Sequence, residues 1–415
     1  MTRVLITTLG SYGDLYPYLA VGAELRRRGY DVTIGSCAAY RAKVEAEGLA
    51  FHPVRPDIDL EDRTLLAYVM DSRRGSERVV RYLAEMVRES YADTLEAARR
   101  ADIILTHPVT FASVVAAQKL DRRWISSVLA PLSFVSAFDP PVPPQVPWLI
   151  KMRAFGPGAM QALWNHARRQ TRQWVQPILD LRRELGLPPG EHPLFDGSHS
   201  PALVLALFSR YLAAPQPDWP PRTVVTGFPF YDRGSLAPEL ERFLDAGPAP
   251  VVFTLGTSAV GAAGSFYVRS LEAVKRLGCR AVLVTGPHPQ GLPDVLPPGV
   301  IAVPYAAHGV LFPRAAVIVH QGGVGTTAQA MRSGRPALVV PFGHDQFDNA
   351  ARSRRHGSAE LVYRFRYRPR HVARLLQRLL EEPGYVSAAL ALAEKVRAET
   401  GAAAAVDAIA REIGG

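Results

Sequence analysis

Two stretches bring together residue types that can do chemistry. In "VIVHQGGVGTTAQAMRSGRPALVVPFGHDQFDNA", residues 317–350, a short apolar run ends in His320. A glycine-rich turn with Gly322, Gly323 and Gly325 follows, then the hydroxyls of Thr326 and Thr327. Glycines let backbone N–H groups approach an anion closely, and a helix starting near Val324 adds the positive end of its dipole. His320 can donate to a phosphate oxygen. The set suits a diphosphate, and it carries neither a magnesium carboxylate nor a P-loop lysine. One helix later, "PFGHDQFDNA" supplies Asp345, Gln346 and Asn349 as partners for hydroxyl groups. A third strand end, "FTLGTS", offers Gly256, Thr257 and Ser258. In a parallel sheet all three loops open on one edge, where ligands bind.

The second stretch is "TTLGSYGDLYPYLA", residues 7–20, with one acid, Asp14. It fails as a dinucleotide loop, because its glycines fall at 10 and 13 only and the next strand, "TIGSC", ends without an acid for a ribose. Two readings remain. Asp14 can cap the helix that follows. It can also be a base, since a hydroxyl that attacks carbon must lose its proton as the bond forms. One residue can serve both. A "DID" triplet at Asp57, Ile58 and Asp59 spells a metal motif, but it lies in the acidic loop "RPDIDLEDR" and reads as solvated surface. No metal ligand set is expected.

These residues need strands to end beside them. "RVLITT", "DVTIGS", "ADIILTH", "RWISSVL" and "PALVLALFS" alternate with helical patterns, and so do "APVVFTLG", "CRAVLVTG", "GVIAVPY", "AVIVHQ" and "PALVVPF". Strand–helix alternation implies right-handed βαβ units and parallel sheets. The Pro- and Gly-rich run "AAPQPDWPPRTVVTGFPFYDRG" separates the two series. The expected organisation is residues 1–215, a linker at 216–232, a second α/β domain at 233–385, and alanine-rich helices at 386–415 able to pack back on the first domain. An insertion at 132–190 is apolar and aromatic at one end and basic at the other. Phe134, Phe138 and Trp148, with Tyr12 of the first loop, are expected to line an apolar acceptor.

Composition narrows the class. With 415 residues and 48% hydrophobic residues, the chain can build two cores. Two cysteines far apart exclude a disulfide framework and suit a reducing cytosol. No leader or 18-residue apolar run is present, so a cytoplasmic location is expected. The net charge of +10 comes without a nucleic-acid-binding pattern. It reads as a basic surface, with peripheral contact to an anionic inner membrane as the sharper expectation.

Taken in order, "GSYGDLYP", "FTLGTS", "HQGGVGTT" and the closing "HDQ" resemble the UDP-glycosyltransferase superfamily of nucleotide-sugar glycosyltransferases, and the resemblance covers most of the chain. Within it, "DWPPRTVVTGFPFYD" and "HDQFDNA" resemble the bacterial rhamnosyltransferases of mono-rhamnolipid synthesis. The resemblance implies a GT-B fold, two Rossmann-like domains facing each other across a cleft. It implies an inverting, metal-independent transfer to a hydroxyl of an apolar acceptor such as a 3-hydroxyalkanoyl lipid, L-rhamnose from dTDP-L-rhamnose being the first choice. The alternative is UDP-glucose-dependent glucosylation of a polyketide, carotenoid or other small natural product. No cofactor is implied beyond the dTDP- or UDP-linked co-substrate. His320, Gly323, Gly325, Thr326 and Thr257 would meet the diphosphate, Asp345 and Gln346 the sugar, and Tyr305 the base. Plant members carry a tryptophan–glutamine pair at "VPYAAHGVLF" and this chain does not, which leaves uracil or thymine open. The plant members place a histidine where this chain has Asp14, and many bacterial members carry "GD" as here, which supports Asp14 as the base.

Overall fold

The computed structural model describes residues 1–59, 62–287, 289 and 291–414, with the side chains of Arg63, Leu149, Ile150 and Ser258 outside the description. The chain divides into two units. One comprises residues 1–60, 74–231 and 399–415, the other 61–73 and 232–398.

The first unit is built on a seven-stranded sheet ordered β3-β2-β1-β4-β5-β6-β7. Its strands are β1 (Arg3–Thr7), β2 (Asp31–Ser36), β3 (Ala50–Pro53), β4 (Ile103–Thr106), β5 (Arg123–Val128), β6 (Val204–Ala206) and β7 (Thr223–Val225). All its pairings are parallel. The middle strands are continuous apolar runs because helices cover both faces of the sheet. Leu5 and Ile104 join a core with Val115, Ile178 and Leu181. Burial of each such side chain stabilises the fold by about 1.5–3 kcal/mol.

A six-stranded parallel sheet ordered β10-β9-β8-β11-β12-β13 forms the second unit. Its strands are β8 (Val251–Thr254), β9 (Ala281–Val284), β10 (Val300–Val303), β11 (Val317–His320), β12 (Ala337–Val339) and β13 (Ala359–Leu361). Each sheet has one place where strand order reverses, between β1 and β4 in the first and between β8 and β11 in the second. There the helices leave to opposite faces, and a crevice opens beyond the carboxyl ends of the strands.

The unit boundaries depart from those expected. Residues 62–73 belong to the second unit, where Met70 enters the core beside Phe342. The stretch read as linker contains β7, an edge strand paired with β6. The alanine-rich tail is two helices, Pro383–Arg397 and Gly401–Gly414. The earlier one stays with the second unit, and Gly401–Gly414 packs on Tyr12–Arg27 in the first. Arg28 pairs with Asp407, Arg222 with Glu412 at 2.6 Å, and Glu399 accepts from the Ser209 hydroxyl at 3.0 Å. Among the described residues no helix is long and apolar enough to cross a membrane.

Candidate functional site

In the second unit the crevice between β8 and β11 gathers most of the expected anion site. β11 ends on His320, which is buried, and the helix Val324–Ser333 starts after Gly323 as its N-cap. Gly322 lies between them at φ +91°, and an added Cβ would stand 2.9 Å from the Gln346 carbonyl oxygen and from Val339 Cγ1. The turn therefore needs glycine for its backbone sign and for its space. The Gly322 N–H donates to His320 Nδ1 at 3.1 Å. An amide can only donate, so the ring proton sits on Nε2 and that nitrogen is the donor. Burial, with His308 nearby, lowers the His320 pKa to about 3. His320 thus offers a neutral N–H across the physiological range, alongside the helix amides and dipole.

Gln321 was not singled out in the sequence, yet it fills the middle of this crevice. Its side chain is buried, and its Nε2 lies where a Cβ on Gly256 or Gly323 would fall, 2.4 and 2.8 Å away. Glycine at both positions is thus the space Gln321 occupies. Its Oε1 is buried without a hydrogen-bond partner, as are Thr327 Oγ1 and Asn349 Oδ1. Such orphan acceptors are costly unless a ligand hydroxyl satisfies them. Gly256 adopts φ +60° after β8, with Thr257 exposed beside it and the Ser258 side chain outside the described residues. Gly325 and the buried Thr326 lie in the first turn of the helix. Tyr305 is exposed on the loop after β10.

Two expected hydroxyl readers also have a structural duty. Gln346 is buried, and its Oε1 accepts the N–H groups of Phe342 at 2.9 Å and Gly343 at 3.2 Å. Asn349 donates from Nδ2 to the Gly322 carbonyl at 2.9 Å and to Asp345 Oδ2 at 2.7 Å. They brace the glycine turn, and Asn349 ties it to Asp345. Their helix, Gln346–Arg354, is held by a buried ion pair, Arg352 Nε to Asp348 Oδ2 at 2.7 Å.

In the first unit, Asp14 sits in the first turn of Tyr12–Arg27. The N-cap is Ser11 rather than Asp14, and Asp14 completes a capping box from the third helical position. Its Oδ2 accepts from the Ser11 N–H at 2.7 Å and the Ser11 hydroxyl at 3.1 Å. Gly10, at φ +131°, lies so near that an added Cβ would meet this oxygen at 2.3 Å. Oδ1 lies 3.4 Å from His107 Nε2, and the Asp14 side chain is about a third exposed, at 34%. The capping contacts therefore fall on Oδ2, while Oδ1 faces His107.

The aromatic expectations separate. Phe134 is a correction: it is buried, stacked on Trp219 at 4.2 Å, and belongs to the core. Phe138 and Trp148 are exposed, as is Phe155. Tyr12 packs against Tyr16 and Tyr40. Asp57 of the acidic triplet accepts the Ala38 N–H at 2.8 Å, a structural contact.

Buried histidines give the fold an acid limit. Burial lowers His192 in the first unit to about 4, as it lowers His320 in the second. Below about pH 6.5 the unfolded chain takes up protons that these folded side chains refuse, so stability falls as pH drops from 6.5 toward 4. At pH 5 each is expected to cost about 2 kcal/mol. Melting curves between pH 7 and pH 5 check this, and His192→Asn should flatten the decline.

Comparisons with known proteins bear on the family and the fold. The Glycosyltransferase family 28 N-terminal domain matches residues 4–126. The C-terminal domain described as erythromycin biosynthesis protein CIII-like matches residues 270–411. The O-mycaminosyltylonolide 6-deoxyallosyltransferase of Streptomyces fradiae is 31% identical, over 96% of this chain and 94% of its own. Glycosyltransferase GtfE of Amycolatopsis orientalis is 30% identical over 83% and 82%. The solved structure of spinosyn rhamnosyltransferase SpnG complexed with thymidine diphosphate superposes with a TM-score of 0.70 at 20% identity, covering 99% of this chain and 100% of that one. With two parallel Rossmann-like sheets and relatives of this identity along most of its length, the chain is a glycosyltransferase of the family 28 and EryCIII-like superfamily, built on the GT-B fold.

Proposed function

We propose that the enzyme moves a 6-deoxyhexose, L-rhamnose first, from a dTDP donor to a hydroxyl of an apolar acceptor, with inversion and without a catalytic metal. The observation that carries this is the turn after β11, where His320 keeps its ring proton on Nε2 beside the start of the helix Val324–Ser333, and these N–H groups are the donors proposed for a diphosphate. The acceptor O–H bond breaks and its proton passes to Asp14 Oδ1. The oxygen's electron pair forms the bond to the anomeric carbon. The bond from that carbon to phosphate breaks, and its pair leaves on the diphosphate. Preorganised N–H donors stabilise that developing charge, a term worth about 3–4 kcal/mol per donor in comparable sites. One displacement inverts the centre.

The thymidine diphosphate bound to SpnG and the deoxyallosyl transfer named for the Streptomyces fradiae relative support a dTDP-deoxysugar. A 3-hydroxyalkanoyl lipid as acceptor is supported by exposed Phe138, Trp148 and Phe155 in one segment with Lys151 and Arg153. A macrolide-type polyketide is the second reading, favoured by the tylonolide named for the same relative. Thermal shifts with dTDP, UDP, dTDP-rhamnose, UDP-glucose and NAD test the donor. The expected order puts dTDP-rhamnose above UDP-glucose. A larger shift with UDP-glucose would move the assignment to glucosylation, and a shift with NAD alone would remove the transferase site. An acceptor panel of hydroxyalkanoyl lipids and macrolide aglycones then separates the two readings.

A further inference from the structure

Asp14 and His107 meet because β1 and β4 are neighbours at the reversal of strand order in the first sheet. Asp14 lies in the first helical turn after β1, and His107 is the residue following β4. His107 is buried and held from several sides. Its N–H donates to Thr110 Oγ1 at 3.1 Å, and that hydroxyl donates back to the His107 carbonyl at 2.9 Å. Thr7 of β1 donates to the same hydroxyl at 3.1 Å. The ring meets Tyr18 edge-on at 5.8 Å. Tyr18 is in turn locked by its hydroxyl to Ser127 Oγ at 2.7 Å, and Ser127 donates to the Thr106 carbonyl at 2.7 Å.

The ring's chemistry is fixed by the same loop. The Val109 N–H donates to His107 Nδ1 at 3.3 Å. With Nδ1 accepting, the ring proton sits on Nε2, and that nitrogen lies 3.4 Å from Asp14 Oδ1. In this tautomer His107 is a donor toward Asp14 and does not take the acceptor's proton there.

We infer that His107 is a positioning residue for Asp14: with Oδ2 occupied by Ser11, its Nε2–H fixes the carboxylate plane so that the remaining lone pair of Oδ1 is the proton acceptor. This rests on Asp14 being the base. A carboxylate turned about its Cβ–Cγ bond would carry that lone pair away from the reacting hydroxyl, and small misplacements cost up to about 100-fold.

The test uses the full-length enzyme with its best donor and acceptor. His107→Ala is expected to lower kcat about 10- to 100-fold while the donor KM stays within about twofold of wild type. His107→Gln, whose amide can donate to Oδ1, should recover most of that loss, and a melting curve for each variant checks the fold. In the background of Asp14→Asn, His107→Ala should lower kcat by no more than about twofold, since the two act as a unit. Wild-type kcat in His107→Ala, or equal losses in the Ala and Gln variants, overturns the inference while leaving Asp14 as base. Wild-type activity in Asp14→Asn overturns the base reading itself, and this inference with it.

Discussion

Replacing Asp14 by Asn is expected to lower kcat by about 100- to 10,000-fold, or about 3–5 kcal/mol in the barrier. The side chain keeps its shape, and its amide oxygen can still accept from the Ser11 N–H that now bonds Oδ2 at 2.7 Å. The capping box therefore survives and the helix Tyr12–Arg27 keeps its start. The change falls on the other oxygen, which becomes an NH2 group without a lone pair for the acceptor's proton. Donor affinity should stay unchanged, because the groups proposed to bind the diphosphate belong to the second unit. Steady-state kinetics with donor titration separates the two effects. A kcat within threefold of wild type would leave Asp14 as a cap alone. Asp14→Ala removes both duties and should add about 1 kcal/mol of instability.

Arg352→Met is expected to destabilise the protein by about 3–5 kcal/mol. Arg352 is 2% exposed and Asp348 fully buried, so the 2.7 Å pair lies away from water. Removing the cation takes away the charge that faces a buried carboxylate, and its desolvation is then less well compensated. The loss should reach the donor site, because the same helix carries Asn349 to the Gly322 carbonyl. Urea unfolding should show the earlier midpoint, and dTDP should bind more weakly to the variant. The double change Asp348→Leu with Arg352→Met should recover much of the stability, since an apolar pair of similar volume avoids the buried charge. Equal loss in single and double variants would locate the effect in packing instead.

The long apolar strands were legible in the sequence because helices cover both faces of each sheet, which makes the runs continuous. β3, β7 and β13 were not. Each is three or four residues long at or near a sheet edge, and β7 lies inside a Pro-rich run that breaks any period. His320 and the glycine turn were legible because their chemistry is local. Gln321 was hidden, since its weight comes from the approach of Gly256 across the β8–β11 pairing. His107 was hidden for the same reason: the partner of Asp14 stands 93 residues along the chain and is brought to it only by β1 lying beside β4. Gln346 and Asn349 carry a bracing duty that was not legible, because sequence does not say which backbone groups a buried amide must satisfy.

The helix Gly401–Gly414 lies on Tyr12–Arg27, so the first unit starts before the second during synthesis and is completed after it. A ribosome making about 5–20 residues per second needs roughly ten to thirty seconds to pass from Asp232 to Ala398. For that interval the helix carrying Asp14 has emerged without the helix that packs on it, and its covering surface is wet. The intervening unit, whose strands and helices are contiguous apart from residues 61–73, can close as it emerges. The nascent chain is thus expected to be guarded longest over Tyr12–Arg27, and chaperone engagement to concentrate there.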